Sequence, residues 1–326
     1  MTPHDPDKAA APQLTDQERD LLIGALDRVC GEQGYVYTLD DSDVNLSHPK
    51  LSSPWVLSLN NIVRTLRLND DPEGNVDAIV RHFLNATLTS TSSQSIDSLS
   101  DEEFQQRLMA RLENAQLQES MEQHHLSIPG SKNEPFTHFA GDINIRLVVD
   151  FPDSMAALGG TMITDRGDLN MLFRTGMHNL ERELRSMPVE VNKVPSPENP
   201  ADFAWFLESS SEYFGSFPLM LGEFLAAHLP EADLDSGLLI GIPTRHYAIV
   251  VPIGTGEGFA GSLQSAAQWV ASTFSNFPAQ ISPCLFQARP DEFVPVSQLQ
   301  PSDEPGAFKL AIFPNEYLME RLNHEE

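Results

Sequence analysis

Arg245 and His246 stand side by side in Ile242-Pro243-Thr244-Arg245-His246, between two apolar runs at 238–242 and 247–253. An imidazole that titrates near neutral pH, next to a permanently charged guanidinium, can hold an anionic group and exchange a proton with it. Charged residues at a hairpin tip are otherwise simply solvated. The apolar arms on either side make a rigid platform, so Arg245 and His246 are the candidate binding residues. A few residues on, Gly256, Gly258 and Gly261 satisfy G-x-G-x-x-G between an expected strand and an expected helix. In that setting helix N-terminal amides can hold a pyrophosphate. Three features point away from a nucleotide. The preceding strand reads as the second arm of a hairpin. The strand after the helix ends without an acid for a ribose. Glu257 sits inside the loop and repels phosphate. The glycines are expected to form a bend that folds a helix back on a sheet, and no cofactor is expected.

Other chemistry-bearing residues carry less. His124 and His125 are adjacent, so their side chains diverge, and no zinc-type spacing surrounds them; no metal site is expected. No G-x-S-x-G and no Walker lysine occur. Cys30 and Cys284 are far apart and read as unpaired thiols, with Cys284 at a strand start as a buried structural residue. Asp165-Arg166-Gly167-Asp168 reads as a turn that caps the next helix.

The elements that must position these residues follow from periodicity. Thr15-Asp16-Gln17-Glu18 is a capping box, followed by Leu21, Leu22, Ala25, Leu26 and Val29 at helical spacing and a stop at Gly34. A hairpin is expected over 35–46, then helices around 59–66 and 76–84. The stretch 89–100, TSTSSQSIDSLS, reads as a polar linker, and 101–119 as helical by propensity. Beyond it, 143–151, 189–194, 203–208, 285–288, 293–296 and 308–313 read as strands; 169–187, 217–228 and 258–277 read as helices. The 237–253 pair is near-continuously apolar on both arms, so it belongs at the centre of a sheet. Strands clustered as hairpins with helices between them predict an α+β class with a mainly antiparallel sheet flanked by helices. The expected organisation is a disordered 1–14, a small α+β domain over 15–88, a linker over 89–100 and a larger α+β domain over 101–326.

The chain has 326 residues, with 20 Lys and Arg against 47 Asp and Glu, a formal net charge of −27. Such an excess of acid opposes direct binding to nucleic acid or to anionic membranes. It favours a protein partner, and a basic one. No run approaches the length of a membrane helix and the first residues do not read as a signal peptide, so a cytoplasmic protein is expected.

From about Asp142 onward the chain resembles the YtpQ-like family of bacterial proteins of unknown function. The resemblance rests on INIRLVVDF, LNMLFRTGMHNLERELRSM, FAWFLES, GLLIGIPTRHYAIVVPI, and the closing pair SPCLFQAR and EFVPV. Family members tend to carry Asp where His246 stands. The resemblance implies that 106–113, QRLMARLE, pairs as a strand, against its helical propensity, and it brings no established activity. Three functional readings follow: a protein-binding or regulatory module with an acidic surface; an enzyme on a small anionic or peptide substrate, using Arg245, His246 and a carboxylate still to be found; and an acidic mimic that inhibits a nucleic-acid-binding protein.

Overall fold

In the computed structural model the described residues are 15–40, 43–49, 55–67, 69, 71–92, 96–115, 136–151, 154–158, 166–195, 203–301 and 308–323. The expected disordered segment 1–14 and the His124–His125 pair lie outside them. The class is α+β, with mainly antiparallel sheets. The chain divides into two compact units: 1–108 with 119–135 and 148–172, and 109–118 with 136–147 and 173–326.

In the first unit helix α1 (Asp16–Gln33) starts at the Thr15–Glu18 capping box, and Gly34 ends it with φ at 80°. That left-handed conformation is one a glycine adopts without steric cost. Strands β1 (Val36–Asp40), β2 (Asp43–Ser47) and β3 (Trp55–Ser58) form an antiparallel sheet. Helices α2 (Leu59–Arg67) and α3 (Pro72–Ser92) follow. Leu22, Leu26, Val29, Val44, Leu46, Ile62, Val80 and Leu84 form one core. Ion pairs Arg28–Asp77, Arg81–Glu32 and Arg67–Glu18 tie α1 to its neighbouring helices.

The stretch 89–100 departs from the expected linker. Helix α3 runs on to Ser92, a 3-10 turn spans Ile96–Ser98, and Ile96 and Leu99 are buried. Arg166 explains part of this: it donates to the carbonyls of Ile96 and Leu99 at 2.7 and 2.8 Å, pairs with Asp101, and lies over the Phe104 ring. Two isolated apolar side chains in a polar stretch suffice to dock it once a distant cation donates to its carbonyls. Helix α4 (Asp101–Arg107) opens on a second capping box, Ser100 with Glu103, and gives way at once to strand β4 (Leu108–Asn114). Of the helix expected over 101–119, only 101–107 is helical and 108–114 is strand. Leu108, Met109, Ala110 and Leu112 are all buried there, and tertiary burial of a short apolar run overrides helical propensity.

Strands β5 (Phe136–Ala140), β6 (Ile143–Phe151) and β7 (Ser154–Ala157) share a sheet with β4, in the order β4-β6-β5 with β7 also on β6. Helix α5 (Leu169–Ser186) is capped by Asp168, whose carboxylate accepts from the amides of Asn170 and Met171.

The second unit is organised by a six-stranded sheet. Its strands are β8 (Glu190–Pro195), β9 (Phe203–Glu208), β10 (Leu238–Gly241), β11 (Tyr247–Pro252), β12 (Leu285–Arg289) and β13 (Glu292–Pro295). The order is β13-β12-β10-β11-β9-β8, with every neighbouring pair antiparallel. The β10–β11 pair is central, as its two-sided apolar pattern predicts, and β8 is an exposed edge. A 3-10 segment (Phe214–Met220) and helix α6 (Leu221–His228) precede β10.

Helix α7 (Gly256–Asn276) leaves β11 and returns to β12, crossing β10, which lies between them. Phe259, Leu263, Ala266, Ala267 and Val270 bury one helix face on Leu239, Ile249 and Val251. Gly241 permits this approach, since a Cβ there would collide with Val270 and come within 2.9 Å of Ile249. Strands β14 (Ser297–Pro301) and β15 (Phe308–Ile312) pair, and α8 (Glu316–Asn323) follows. Among the described residues no helix is long and apolar enough to cross a membrane.

Candidate functional site

The β10–β11 connection is not a tight, exposed tip. Strand β10 ends at Gly241 and β11 begins at Tyr247, so 242–246 forms a wider loop. Backbone bonds pin it from two sides. The amides of Ile281 and Ser282 reach the carbonyls of Pro243 and Ile242, and Arg245 donates its own amide to Ala279. On the other side the amides of Gly215 and Ser209 reach the carbonyls of Arg245 and His246. The Thr244 hydroxyl accepts from the amides of His246 and Tyr247 at 3.2 and 3.1 Å. Gly215 makes the contact achievable: a Cβ there would lie 2.9 Å from the Thr244 carbonyl oxygen and 3.0 Å from Arg245 Cα. Ala279, which accepts the Arg245 amide, has φ at 59°. For a residue with a Cβ that left-handed conformation stores roughly 1–2 kcal/mol, and the surroundings must hold it.

This frame turns both side chains inward. Arg245 and His246 keep only 25% and 28% of their side-chain surface exposed, so the expectation of a solvated tip is corrected. Arg245 Nη1 donates to Glu212 at 3.1 Å, and His246 Nε2 lies 3.5 Å from the other oxygen of the same carboxylate. His246 Nδ1 lies 3.1 Å from the Ser209 carbonyl. Both ring nitrogens therefore face acceptors, which is the arrangement an imidazolium satisfies. The hydrogen bond to Glu212 accordingly raises the His246 pKa, against the opposing effect of burial. The same bond, with Arg245, takes Glu212 down to about 2.

A second group of charges acts on Arg245. Arg111 and Glu113 alternate on β4 and so share a face, and Arg146 projects from the adjacent β6. Arg111 Nε donates to Glu113 Oε1 at 2.7 Å, its Nη2 reaches the same oxygen, and Arg146 Nη1 lies 3.3 Å from Oε2. These side chains are 11%, 13% and 17% exposed for Arg111, Glu113 and Arg146. Burial alone would raise the Glu113 pKa, but Arg111 and Arg146 outweigh it and hold the carboxyl at about 2. Burial, then the field of Arg111, lowers the Arg245 pKa, while Glu212 and Glu113 support its charge. Three guanidiniums, two carboxylates and a protonatable imidazole thus act on one another in one place.

The sequence reading named two of these six residues. Glu212, in the polar run Ser209-Ser210-Ser211-Glu212, and Arg111, Glu113 and Arg146 went unmarked. Arg111 and Glu113, alternating with apolar residues in the run Leu108 to Glu113, were the available signal.

Cys284 belongs to a different polar group. Asp142 accepts from Ser282 Oγ at 2.6 Å and from Asn114 Nδ2 at 2.8 Å, and Asn114 also donates to the Ile281 carbonyl. Cys284 donates its amide to Ser282 Oγ. Burial, reinforced by Asp142, pushes the Cys284 thiol up to about 12, and burial raises the Asp142 pKa. The thiol is therefore no nucleophile at neutral pH. Cys30 is raised to about 11 by burial, and the two cysteines are free. Asp142 joins the β5–β6 turn to the approach to β12. Asp142→Ala should cost about 2–3 kcal/mol by leaving Ser282 and Asn114 donors unmatched. Asp142→Asn, which keeps an acceptor and removes a buried charge, should cost less than about 1 kcal/mol. Urea unfolding of the two variants checks the order; equal losses would mean that Asp142 acts through its charge.

The glycine run sits where α7 begins, at Gly256 with φ at 68°. Its strand, β11, is antiparallel to both neighbours, and β10 separates it from β12. That is a different connection from the adjacent parallel strands of a dinucleotide fold. Among the described residues no group of three or more His, Cys, Asp or Glu could hold a metal ion. Comparison with known proteins finds no matching family model, no matching curated protein and no matching solved structure.

Proposed function

We propose that the chain is a protein-binding or regulatory module whose contact point is the 242–246 loop, through Arg245 and His246. One observation carries the reading: the loop holds a guanidinium with unused donors beside an imidazole with none to spare. Among the described residues Arg245 Nε is buried and has no hydrogen-bond partner, whereas both ring nitrogens of His246 are engaged. A proton-transfer residue needs a free nitrogen within reach of its substrate. A recognition site needs donors held in place, and the pinned loop supplies that. Glu212 is the carboxylate that the enzyme alternative lacked, yet by holding His246 it favours binding over catalysis. The excess of acid over the whole chain favours a partner whose surface is basic around the contact.

Pull-down from native extract at low and high salt tests this with wild type, Arg245→Ala and His246→Ala. Partly exposed ion pairs contribute about 1 kcal/mol or less, so both variants should stay folded. The partner recovered with wild type should be lost with Arg245→Ala and weakened with His246→Ala. Undiminished recovery with both variants would place the contact elsewhere.

A further inference from the structure

The six charges of the site fall into a buried inner group around Glu113 and a more exposed outer group around Glu212. In the inner group Glu113 is 13% exposed and takes a 2.7 Å bond from Arg111 Nε beside a 3.3 Å contact from Arg146. In the outer group Glu212 reaches Arg245 at 3.1 Å and His246 at 3.5 Å, and its side chain is 46% exposed. Strong charge-assisted bonds are 2.7–2.9 Å long; neither contact of Glu212 reaches that range. Glu212 is also the most exposed member of its group, since Arg245 and His246 beneath it are 25% and 28% exposed. It follows β9 in the 209–213 segment, outside any strand or helix. Its carboxylate can therefore swing outward without disturbing the sheet. The backbones of Arg245 and His246 are held to Ala279, Gly215 and Ser209, and the His246 ring also by its Nδ1 contact with the Ser209 carbonyl.

What Glu212 leaves unsatisfied points the same way. A buried donor without an acceptor is costly and calls for an explanation. Arg245 Nε is such a donor. Arg245 also lies in the field of Arg111, so Glu212 compensates its charge incompletely. An oxyanion with two or three oxygens is better suited to a guanidinium fork and an adjoining imidazolium than a side chain tethered at 3.1 and 3.5 Å.

We infer that Glu212 is an internal placeholder: its carboxylate occupies the seat on Arg245 and His246 that an oxyanion of the partner, a carboxylate or a phosphate, takes in exchange. This rests on the 242–246 loop being the contact point. It adds that the partner presents an acidic or phosphorylated side chain at the centre of its contact. It also adds that Glu212 sets a threshold, since any anion must first displace it.

The test uses the full chain, without the partner. Inorganic phosphate and acetate are titrated separately at constant ionic strength, reading the His246 imidazole resonances and the unfolding midpoint. The comparison is between wild type, Glu212→Gln, and the double variant Glu212→Gln with Arg245→Ala. Glu212→Gln keeps the shape and removes the competing charge, so it should bind at least one of the two anions about tenfold more tightly than wild type. The double variant should show no saturable shift. Saturation by phosphate alone would indicate a phosphorylated group, and saturation by acetate a carboxylate. If Glu212 is only structural, Glu212→Gln will lower the midpoint and neither anion will restore it; that result overturns the inference. Equal binding by the double variant overturns it too. Pull-down through Arg245 can succeed while this titration fails, so the two ideas fail separately.

Discussion

Val250→Asp should abolish cooperative folding of the six-stranded sheet. Val250 is 0% exposed and pairs with Ile240 on one side and Trp205 on the other. Leu239, Ile249 and Val251 meet helix α7, so Val250 and Ile240, one residue out of phase, face the opposite side of the sheet. That side is equally dry, with Ile240 and Trp205 buried at 0% and 3%. A carboxylate there cannot reach water, and its neighbours in register are apolar. It must remain protonated or expel itself from the core, at a cost of about 4–5 kcal/mol or more. Against a total stability of roughly 5–15 kcal/mol, that is enough to unfold the sheet. Urea unfolding followed by circular dichroism provides the measurement. Val191→Asp is the control: Val191 lies on the exposed edge strand β8 with 37% exposure, and its substitution should change stability by less than about 0.5 kcal/mol. A Val250→Asp protein that unfolds cooperatively near the wild-type midpoint would mean that β10 and β11 are not central.

Removing the carboxylate of Glu113 should have the second-largest effect. Glu113→Ala takes away the acceptor that Arg111 and Arg146 share, in a place where all three side chains are less than a fifth exposed. Breaking a buried pair from one side costs about 3–5 kcal/mol, because the remaining charge loses its compensation without regaining water. The same carboxylate makes stability depend on pH. Its pKa falls from 4.5 to about 2 on folding, so its contribution is complete above pH 4.5 and is lost as pH falls toward 2. The shift is equivalent to on the order of 3 kcal/mol. His246 works in the other direction. Its pKa is raised above 6.5, so its contribution is complete below pH 6.5 and fades as pH rises through its folded value. Wild type should therefore lose stability steeply between pH 4.5 and 2, and Glu113→Gln should show a shallower slope there. Identical acid limbs would mean that other carboxylates control acid unfolding.

The elements were easier to read than their partners. The capping box at Thr15, the stop at Gly34 and the 3.6-residue spacing of Leu22, Ala25, Leu26 and Val29 act within a few residues, and they placed α1 to within one residue. The two-sided apolar arms placed β10 and β11 at the centre of their sheet for the same reason: the pattern states how much of each strand must be dry. The boundary of β4 was harder to see. Residues 101–107 and 108–114 carry similar helical propensity, and only burial of the second part separates them. In the 89–100 stretch, polarity obscured the docking of Ile96 and Leu99, because their fixing cation, Arg166, is remote in sequence.

Local pattern was enough for the class, the central strand pair and the helix that covers it, and composition for the excess of acid. The sequence also singled out Arg245 and His246. That these two residues face inward, that Glu212 holds them, and that Arg111 and Glu113 act on Arg245 emerged from the folded chain alone. The physical reason is one of range. Backbone propensity, capping and hydrophobic alternation act between near neighbours and leave a periodic trace in the chain. Compensation of a buried charge requires only that its partner be close in space, and here the partners come from the strands at 108–114 and 143–151 and the segments around 212 and 245.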